Sequence, residues 1–216
     1  MIVLLSGGLD STVLAADLTA TAPGTVETLS IDYGQRHHRE LTAAATVAAT
    51  LGIRHDIIDL TALAPHLARS ALTNSGVDVP EGHYTEESMK ATVVPNRNMI
   101  FLSLAAARAI AGGIPHLFYA AHSGDHAIYP DCRPVFVSAM ETALHLCDWT
   151  DITLHAPYLH LTKADIVKIG TRLGVDYSLT WTCYRGEDRA CGKCGSCTER
   201  LEAFRGAGVQ DPVEYG

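Results

Sequence analysis

The chain has 216 residues, 47% of them hydrophobic and 19% charged, with a formal net charge of −8. That length carries one sizeable core, and the composition is globular rather than disordered or collagenous. The acidic balance disfavours bulk nucleic acid as a partner, and no apolar run approaches the roughly 20 residues of a membrane span.

Residues 2–5 are a β-rich run that ends at Ser6-Gly7-Gly8. The run lacks a basic segment and a small-residue cleavage site, so it reads as buried strand rather than signal peptide. Helical spacing follows over residues 11–20. Residues 25–31 predict a second strand, ending at Asp32-Tyr33-Gly34. Residues 36–51 are Ala-rich with helical spacing, and Gly52 is a stop. Residues 53–60 predict a third strand. Strand and helix alternate from the start, which implies a parallel sheet flanked by helices. Residues 73–94 read as a polar lid or side loop. Asn96 is placed to cap a helix over residues 97–111, closed by Gly112-Gly113. Residues 117–121 and 152–154 predict a fourth and a fifth strand. Cys147 falls in an apolar helical pattern and reads as core. Thr162 caps a helix that runs to Leu173, with Gly174 after it. Residues 180–197 have little periodicity, and a short helix is expected over 198–204.

Two features carry chemistry. The first is Ser6-Gly7-Gly8-Leu9-Asp10-Ser11-Thr12, a Gly-rich turn between strand and helix. Such turns usually hold phosphate, because a helix N-terminus offers unpaired N–H groups and glycine lets the backbone approach an anion closely; the plainer alternative is a tight βα turn with Asp10 or Ser11 as N-cap. Neither the G-x-G-x-x-G pattern nor the lysine of a Walker A loop is present. The second is Cys183, Cys191, Cys194 and Cys197, spaced C-x7-C-x2-C-x2-C, four of the six cysteines. Four thiolates can close a tetrahedral Zn²⁺ site with no open position, which is structural geometry. Such clustering also points to a reducing cytoplasm rather than a secreted disulfide framework. Cys132 sits in a Pro-Asp-Cys-Arg loop and is a candidate lining residue. Arg36, Arg97, Arg133 and Lys163 fall on loops or helix starts. His37 and His38 read as surface histidines at a helix start. His122 and His126 flank Gly124, which argues for loop rather than a metal site.

The opening string resembles the SGGxDS loop of the ATP pyrophosphatases, the PP-loop enzymes. Further strings resemble one family among them, the 7-cyano-7-deazaguanine synthases of queuosine biosynthesis. They are Ile31-Asp32-Tyr33-Gly34-Gln35-Arg36-His37, Val94-Pro95-Asn96-Arg97-Asn98, Tyr129-Pro130-Asp131-Cys132-Arg133-Pro134, Leu161-Thr162-Lys163-Ala164-Asp165-Ile166-Val167 and Leu179-Thr180-Trp181-Thr182-Cys183-Tyr184. The cysteine run closes the set, and the resemblance covers nearly the whole chain. Asn96 stands where that family often has glycine.

The resemblance implies a five-stranded parallel sheet of the adenine nucleotide alpha hydrolase type over residues 1–178. A zinc-binding segment over residues 179–216 would pack on the same domain. It implies a ligase that forms C–N bonds, converting 7-carboxy-7-deazaguanine and ammonia to the nitrile at the expense of ATP with Mg²⁺. Leu5, Ser6, Gly7, Gly8, Leu9, Asp10, Ser11, Thr12, Val13, Leu14 and Ala15 become the expected ATP contacts. Asp10, Ser11 and Lys163 become the expected catalytic residues. Arg97, Asp125, Tyr129, Asp131 and Arg133 become the expected substrate contacts, with Asp125 or Asp131 reading the N–H edge of the guanine-like ring. It also implies a cytoplasmic homodimer with small-molecule substrates and neither nucleic acid nor membrane as a partner. A tRNA-modifying PP-loop enzyme, and a relative that adenylates another deazaguanine acid or stops at the amide, are the alternatives.

Overall fold

The computed structural model describes residues 1–83, 90–127 and 129–216. Five strands form the centre: β1 (Ile2–Leu4), β2 (Glu27–Asp32), β3 (Arg54–Asp59), β4 (His116–Phe118) and β5 (Thr153–His155). They lie in the order β3-β2-β1-β4-β5, every neighbouring pair parallel. Six helices of more than two turns surround them among the described residues: α1 (Leu9–Thr21), α2 (Arg39–Leu51), α3 (Arg97–Ala111), α4 (Pro134–His145), α5 (Lys163–Arg172) and α6 (Gly195–Ala207).

Alternation along the strands makes two cores, one on each face. Ile2 and Leu117 pack with Leu102 and Ala105 of α3 and Met140 and Leu144 of α4. Val3 and Leu5 pack with Val13 and Leu14 of α1, Val47 of α2, Ile166 of α5 and Phe204 of α6. Chain direction through the sheet reverses between β1 and β4. Crevices at the carboxyl ends of strands beside such a reversal are where open α/β sheets bind ligands. The loops after β1 and β4 both open there.

Local chemistry explains the helix ends. The Thr162 hydroxyl accepts from the Asp165 N–H at 3.2 Å, and the Asp165 carboxylate accepts from the Thr162 N–H at 3.2 Å. This reciprocal capping box fixes the start of α5, and so the position of Lys163. Asn96 precedes α3 but does not cap it with its side chain. Its backbone is left-handed at φ 58°. The residue was expected as a cap; its role is conformational, since Asn tolerates a left-handed backbone better than most residues.

Other expectations are corrected. α4 is a full helix where only an apolar helical pattern around Cys147 was read, and it stops at His145. Cys147 lies past its end and is exposed, not core. α2 starts at Arg39, so residues 36–38 form a turn before it. α6 begins three residues early, at Gly195, inside the cysteine run. The expected side loop over 73–94 lies partly outside the described residues. Of its remainder, the Gly82 N–H donates to the Lys193 carbonyl at 2.7 Å, and Glu81 bridges Cys194, which ties it to the cysteine segment.

The carboxyl-terminal segment is held to α6 by a buried ion pair. Arg200 on α6 is 1% exposed. Its Nε and Nη2 donate to the two oxygens of Asp211 at 2.8 and 2.9 Å, and Nη1 donates to the Thr180 hydroxyl at 2.6 Å. Burial pushes the Asp211 carboxyl up, but Arg200, the Tyr215 hydroxyl and the Val213 N–H together pull it below the ordinary value. A depressed carboxyl contributes stability above its unfolded range, near pH 4, and loses it as pH falls further.

Asp211→Asn leaves the guanidinium buried without its counter-charge. The expected loss is about 3–5 kcal/mol, read by urea unfolding at neutral pH. The gap to wild type should narrow in acid, where the wild-type carboxylate is itself protonated. A gap under 1 kcal/mol at pH 7 would contradict this account of the segment.

Candidate active site

The loop after β1 is folded by its own hydroxyls. The Ser11 Oγ accepts from the Ser6 N–H at 3.1 Å, lies 3.0 Å from the Ser6 Oγ and donates to the Gly8 carbonyl at 3.3 Å. The Ser6 Oγ accepts from the Gly8 N–H at 3.2 Å. Gly7 has φ 80°, a conformation that favours glycine. A Cβ there would overlap the Glu40 carbonyl oxygen and come within 2.7 Å of the Ala44 nitrogen, so the loop lies directly on the first turn of α2. No side chain caps Gly8 at the start of α1. The result is a small concave turn with hydroxyls and first-turn N–H groups at a helix N-terminus, which suits an anion.

Opposite the loop stands a charged cluster. The Lys163 Nζ lies 3.2 Å from the Glu199 Oε2 and 3.5 Å from the Asp10 Oδ2. Burial pulls the Lys163 ammonium down, but Asp10, Glu199 and Asp125 outweigh it and hold the pKa above the usual lysine range. The His122 Nδ1 accepts from the Gly124 N–H at 3.1 Å, which puts the ring proton on Nε2. That Nε2 faces Asp125 at 3.5 Å and Asp10 at 3.8 Å. Burial raises the Asp125 carboxyl, against the pull of His122 and Lys163. The Asp10 Oδ1 is buried without a hydrogen-bond partner.

A cavity of about 240 Å³ joins loop and cluster. Its third wall is aromatic. Arg97 lies over the Tyr129 ring at 6.0 Å, and the Tyr129 and Tyr184 hydroxyls are 3.2 Å apart. Tyr33, Phe101 and Tyr119 complete this wall. The Tyr119 hydroxyl is buried without a partner, and burial raises its phenol.

Among the expected residues, Leu5, Ser6, Gly8, Leu9, Asp10, Ser11, Arg97, Asp125, Tyr129 and Lys163 line the cavity together. Gly7 lies beneath its floor. The side chains of Val13, Leu14 and Ala15 are fully buried in the core, and the Thr12 hydroxyl is buried without a partner. Asp131 does not line the cavity: its carboxylate accepts from the Asn98 N–H at 3.1 Å and anchors the start of α3. Arg133 is exposed on the approach to α4. Cys132 does line the cavity, with burial pushing its thiol up, which is the wrong direction for a nucleophile.

Sequence reasoning missed His37, Glu40, His122 and Glu199 as lining or network residues. His37 was read as a surface residue and is 3% exposed. His122 was read as loop, and it is a buried loop residue in the charged cluster. The His126 side chain lies outside the described residues.

The cysteines form a second centre. The sulfurs of Cys183, Cys191, Cys194 and Cys197 all lie within 4.8 Å of one another, and all four residues are buried. A tetrahedral zinc with Zn–S of 2.3 Å needs sulfurs about 3.8 Å apart. The Cys191 and Cys197 sulfurs are 4.0 Å apart. The Cys191 N–H points at the Cys183 sulfur at 3.4 Å, and the Cys194 N–H at the Cys191 sulfur at 3.3 Å. Hydrogen bonds from Cys194 and Cys197 lower the Cys183 thiol, whose partners are raised in return. Such a donor set, with backbone N–H groups aimed at sulfur, fits a metal.

The family model "Queuosine biosynthesis protein QueC" matches residues 1–208. The 7-cyano-7-deazaguanine synthase of Methanoregula boonei is 61% identical, covering 99% of this chain and 98% of its own length. That of Caldicellulosiruptor saccharolyticus is 56% identical, covering 99% and 94%. Among solved structures, NMN synthetase from Francisella tularensis has a TM-score of 0.52 at 17% identity, covering 97% of this chain and 77% of that one. The U34-tRNA thiolase NcsA from Methanococcus maripaludis has a TM-score of 0.53 at 15% identity, covering 81% and 57%. These two likenesses establish a shared fold alone.

Gly7→Ala tests the loop's seat on α2. The methyl must displace helix backbone, and the φ of 80° adds strain. The expected loss is about 3 kcal/mol, seen as a thermal melting shift of several degrees. Gly24→Ala, with a similar φ of 77° and open space around it, isolates the strain and should lose about half as much. Equal losses at the two sites would contradict the close contact.

Proposed function

Because the chain belongs to the family of queuosine biosynthesis protein QueC, we propose that the cavity between β1 and β4 forms 7-cyano-7-deazaguanine from 7-carboxy-7-deazaguanine, ammonia and ATP. One observation carries the reading. The hydroxyl-lined anion turn at Ser6–Ser11 opens onto the same cavity as Lys163 and the unpartnered Asp10 carboxylate oxygen.

The carboxyl carbon carries two oxygens, and each is a poor leaving group. One attacks the α-phosphate of ATP, forming the acyl-adenylate and releasing pyrophosphate. Ser6, Ser11 and the first-turn N–H groups of α1 hold the pyrophosphate. Lys163 neutralises charge at the phosphates, and its network with Glu199 and Asp10 keeps it protonated. Bound Mg²⁺ supplies further neutralisation at the phosphates, and Asp10 is the residue here that would hold it. Ammonia displaces AMP and leaves an amide. Adenylation of the amide oxygen and elimination then give the nitrile. Asp125 is the carboxylate that reads the N–H edge of the ring, because Asp131 is committed to Asn98. Arg97 takes the carboxylate side, beside the faces of Tyr129 and Tyr33.

The metal of the four cysteines is zinc in this reading, held for structure, since no ligand position is left open. Metal analysis of protein purified under reducing conditions should find one zinc per chain. Cys194→Ser should lose it and become less soluble, because a closed site contributes to folding. Iron in place of zinc, or full zinc in Cys194→Ser, would overturn this.

The reaction predicts two AMP and two pyrophosphate for each nitrile. With ¹⁸O in the substrate carboxylate, label should appear in the AMP from both halves, read by mass spectrometry. The synthetic amide should be accepted with one ATP. Release of ADP and phosphate, or rejection of the amide, would exclude double adenylation.

A further inference from the structure

The cavity wall contains a histidine that adenylation leaves without a task. The His37 Nε2 lies 3.1 Å from the Glu40 Oε2. Glu40 is fixed in turn, its Oε1 accepting from the Gln35 Nε2 at 3.0 Å, and the Gln35 Oε1 accepts from the Tyr33 N–H at 2.9 Å. A carboxylate facing Nε2 puts the ring proton there and leaves Nδ1 with a lone pair. That Nδ1 is buried and has no hydrogen-bond partner, while the residue lines the cavity. The backbone at His37 is held in place, since a Cβ on Gly186 would come within 3.0 Å of the His37 Cα. The Tyr184 ring lies 5.4 Å from the imidazole and completes its surroundings.

We propose that His37, oriented by Glu40, is the general base that takes protons from nitrogen, first in the ammonia half of the reaction and again in the elimination. This rests on the reaction proposed above. Ammonia at neutral pH is mostly ammonium, which has no lone pair to attack with. Ammonium gives one proton to Nδ1, and the lone pair released forms the C–N bond to the acyl carbon. The C–O bond to the α-phosphate breaks, and its electron pair leaves with AMP. Nδ1 passes its proton to water and takes the surplus proton from the new amide nitrogen. In the second half both N–H protons of the adenylated amide must leave. One goes to water from the cationic adenylate. The last goes to Nδ1 as its bonding pair becomes the third C–N bond and the C–O pair departs with AMP.

The rival bases in the cavity are committed. Asp125 faces His122 and lies in the field of Lys163, and Glu199 and Asp10 share Lys163. The Tyr119 hydroxyl is unpartnered too, but it keeps its proton near neutrality. The turn that carries His37 leads into α2, on whose Glu40 and Ala44 backbone Gly7 rests. Groups facing the ring are Glu40 and Gln35 from its own segment and Tyr184 from the cysteine segment. Arg97, Asp125 and Lys163 share the cavity.

The test separates the halves in wild type, His37→Gln, His37→Ala and Glu40→Gln. Acid-dependent exchange of labelled pyrophosphate into ATP, without ammonium, reads adenylation. Single-turnover amide formation with ammonium chloride, across pH, reads the ammonia step. The His37 variants should keep exchange and lose about 10²-fold in the ammonia step near neutral pH. Their rate should rise with free ammonia as pH increases, and added imidazole should restore part of it in His37→Ala. Glu40→Gln should show a smaller loss with the same pH signature. An unchanged ammonia step would overturn the assignment. So would a raised KM for the acid at unchanged kcat, which would mean that Nδ1 reads the ring. Joint loss of exchange and amide formation in the His37 variants would also overturn it, by making the residue part of the adenylation site. Wild type that fails to exchange pyrophosphate or to form AMP would instead sink the reaction on which the assignment rests.

Discussion

The site depends on one close approach, the seat of Gly7 against the first turn of α2. The carbonyl of Glu40 and the nitrogen of Ala44 occupy the space that any side chain at residue 7 would need. That contact joins three separate stretches of chain. Above it, Ser6 and Ser11 close the hydroxyl turn. Beside it, Glu40 extends its carboxylate to His37. From the far end of the sequence, the Trp181 N–H donates to the Gly7 carbonyl at 2.9 Å. The indole of Trp181 is held in turn by Arg39, whose guanidinium lies 4.5 Å over the ring. Preorganised donors are worth most where they need not move during reaction, and this seat removes the freedom to move.

The charge of the cavity sets a second constraint. Its lining holds four carboxylates, Asp10, Glu40, Asp125 and Glu199, against two permanent cations, Arg97 and Lys163. A polyanion such as ATP would be repelled by that balance if it came alone. A nucleotide that arrives with a divalent cation is not, and the unpartnered Asp10 oxygen is on the side of the anion turn. The same acidic balance favours entry of ammonium, a small cation that the proposed reaction needs. Lys163 keeps its charge because three carboxylates oppose the cost of burying it, so the lysine and the acidic residues stabilise one another.

The sheet, its parallel direction and the position of the Gly-Gly turn were legible because their signals are local. Alternation of strand and helix begins at the second residue, and the Gly-Gly turn sits between them. The cysteine site was legible from spacing alone. The missed residues have no local signal. Glu199 lies on α6 and meets Lys163 from α5 only through tertiary packing of the two helices. His37 follows an arginine and precedes a histidine, a setting that looks like surface; burial comes from Tyr184 and Gly186, about 150 residues away. Cys147 misled in the opposite way. Its apolar neighbours suggested core, but α4 stops two residues earlier and leaves it in solvent. Asn96 has the side chain of a helix cap, while the fold uses its tolerance of a left-handed backbone instead.

The cysteine segment is more than an attached staple, because its first cysteine is two residues from the loop's anchor. The Trp181 Nε1 donates to the Cys183 carbonyl at 3.0 Å, and the Trp181 N–H holds Gly7. Thr180 and Thr182, on either side, both receive the Arg200 guanidinium, at 2.6 and 3.2 Å. Residues 180–183 therefore form a short strut with the anion turn at one end and the four sulfurs at the other. A metal gathered by the sulfurs would fix Cys183, and through it the register of Trp181 against Gly7. The buried Arg200–Asp211 pair fixes the same strut from below without any metal. Two independent clamps on four residues account for how a segment with no regular secondary structure can position the donors of an active site that otherwise stands on a rigid sheet.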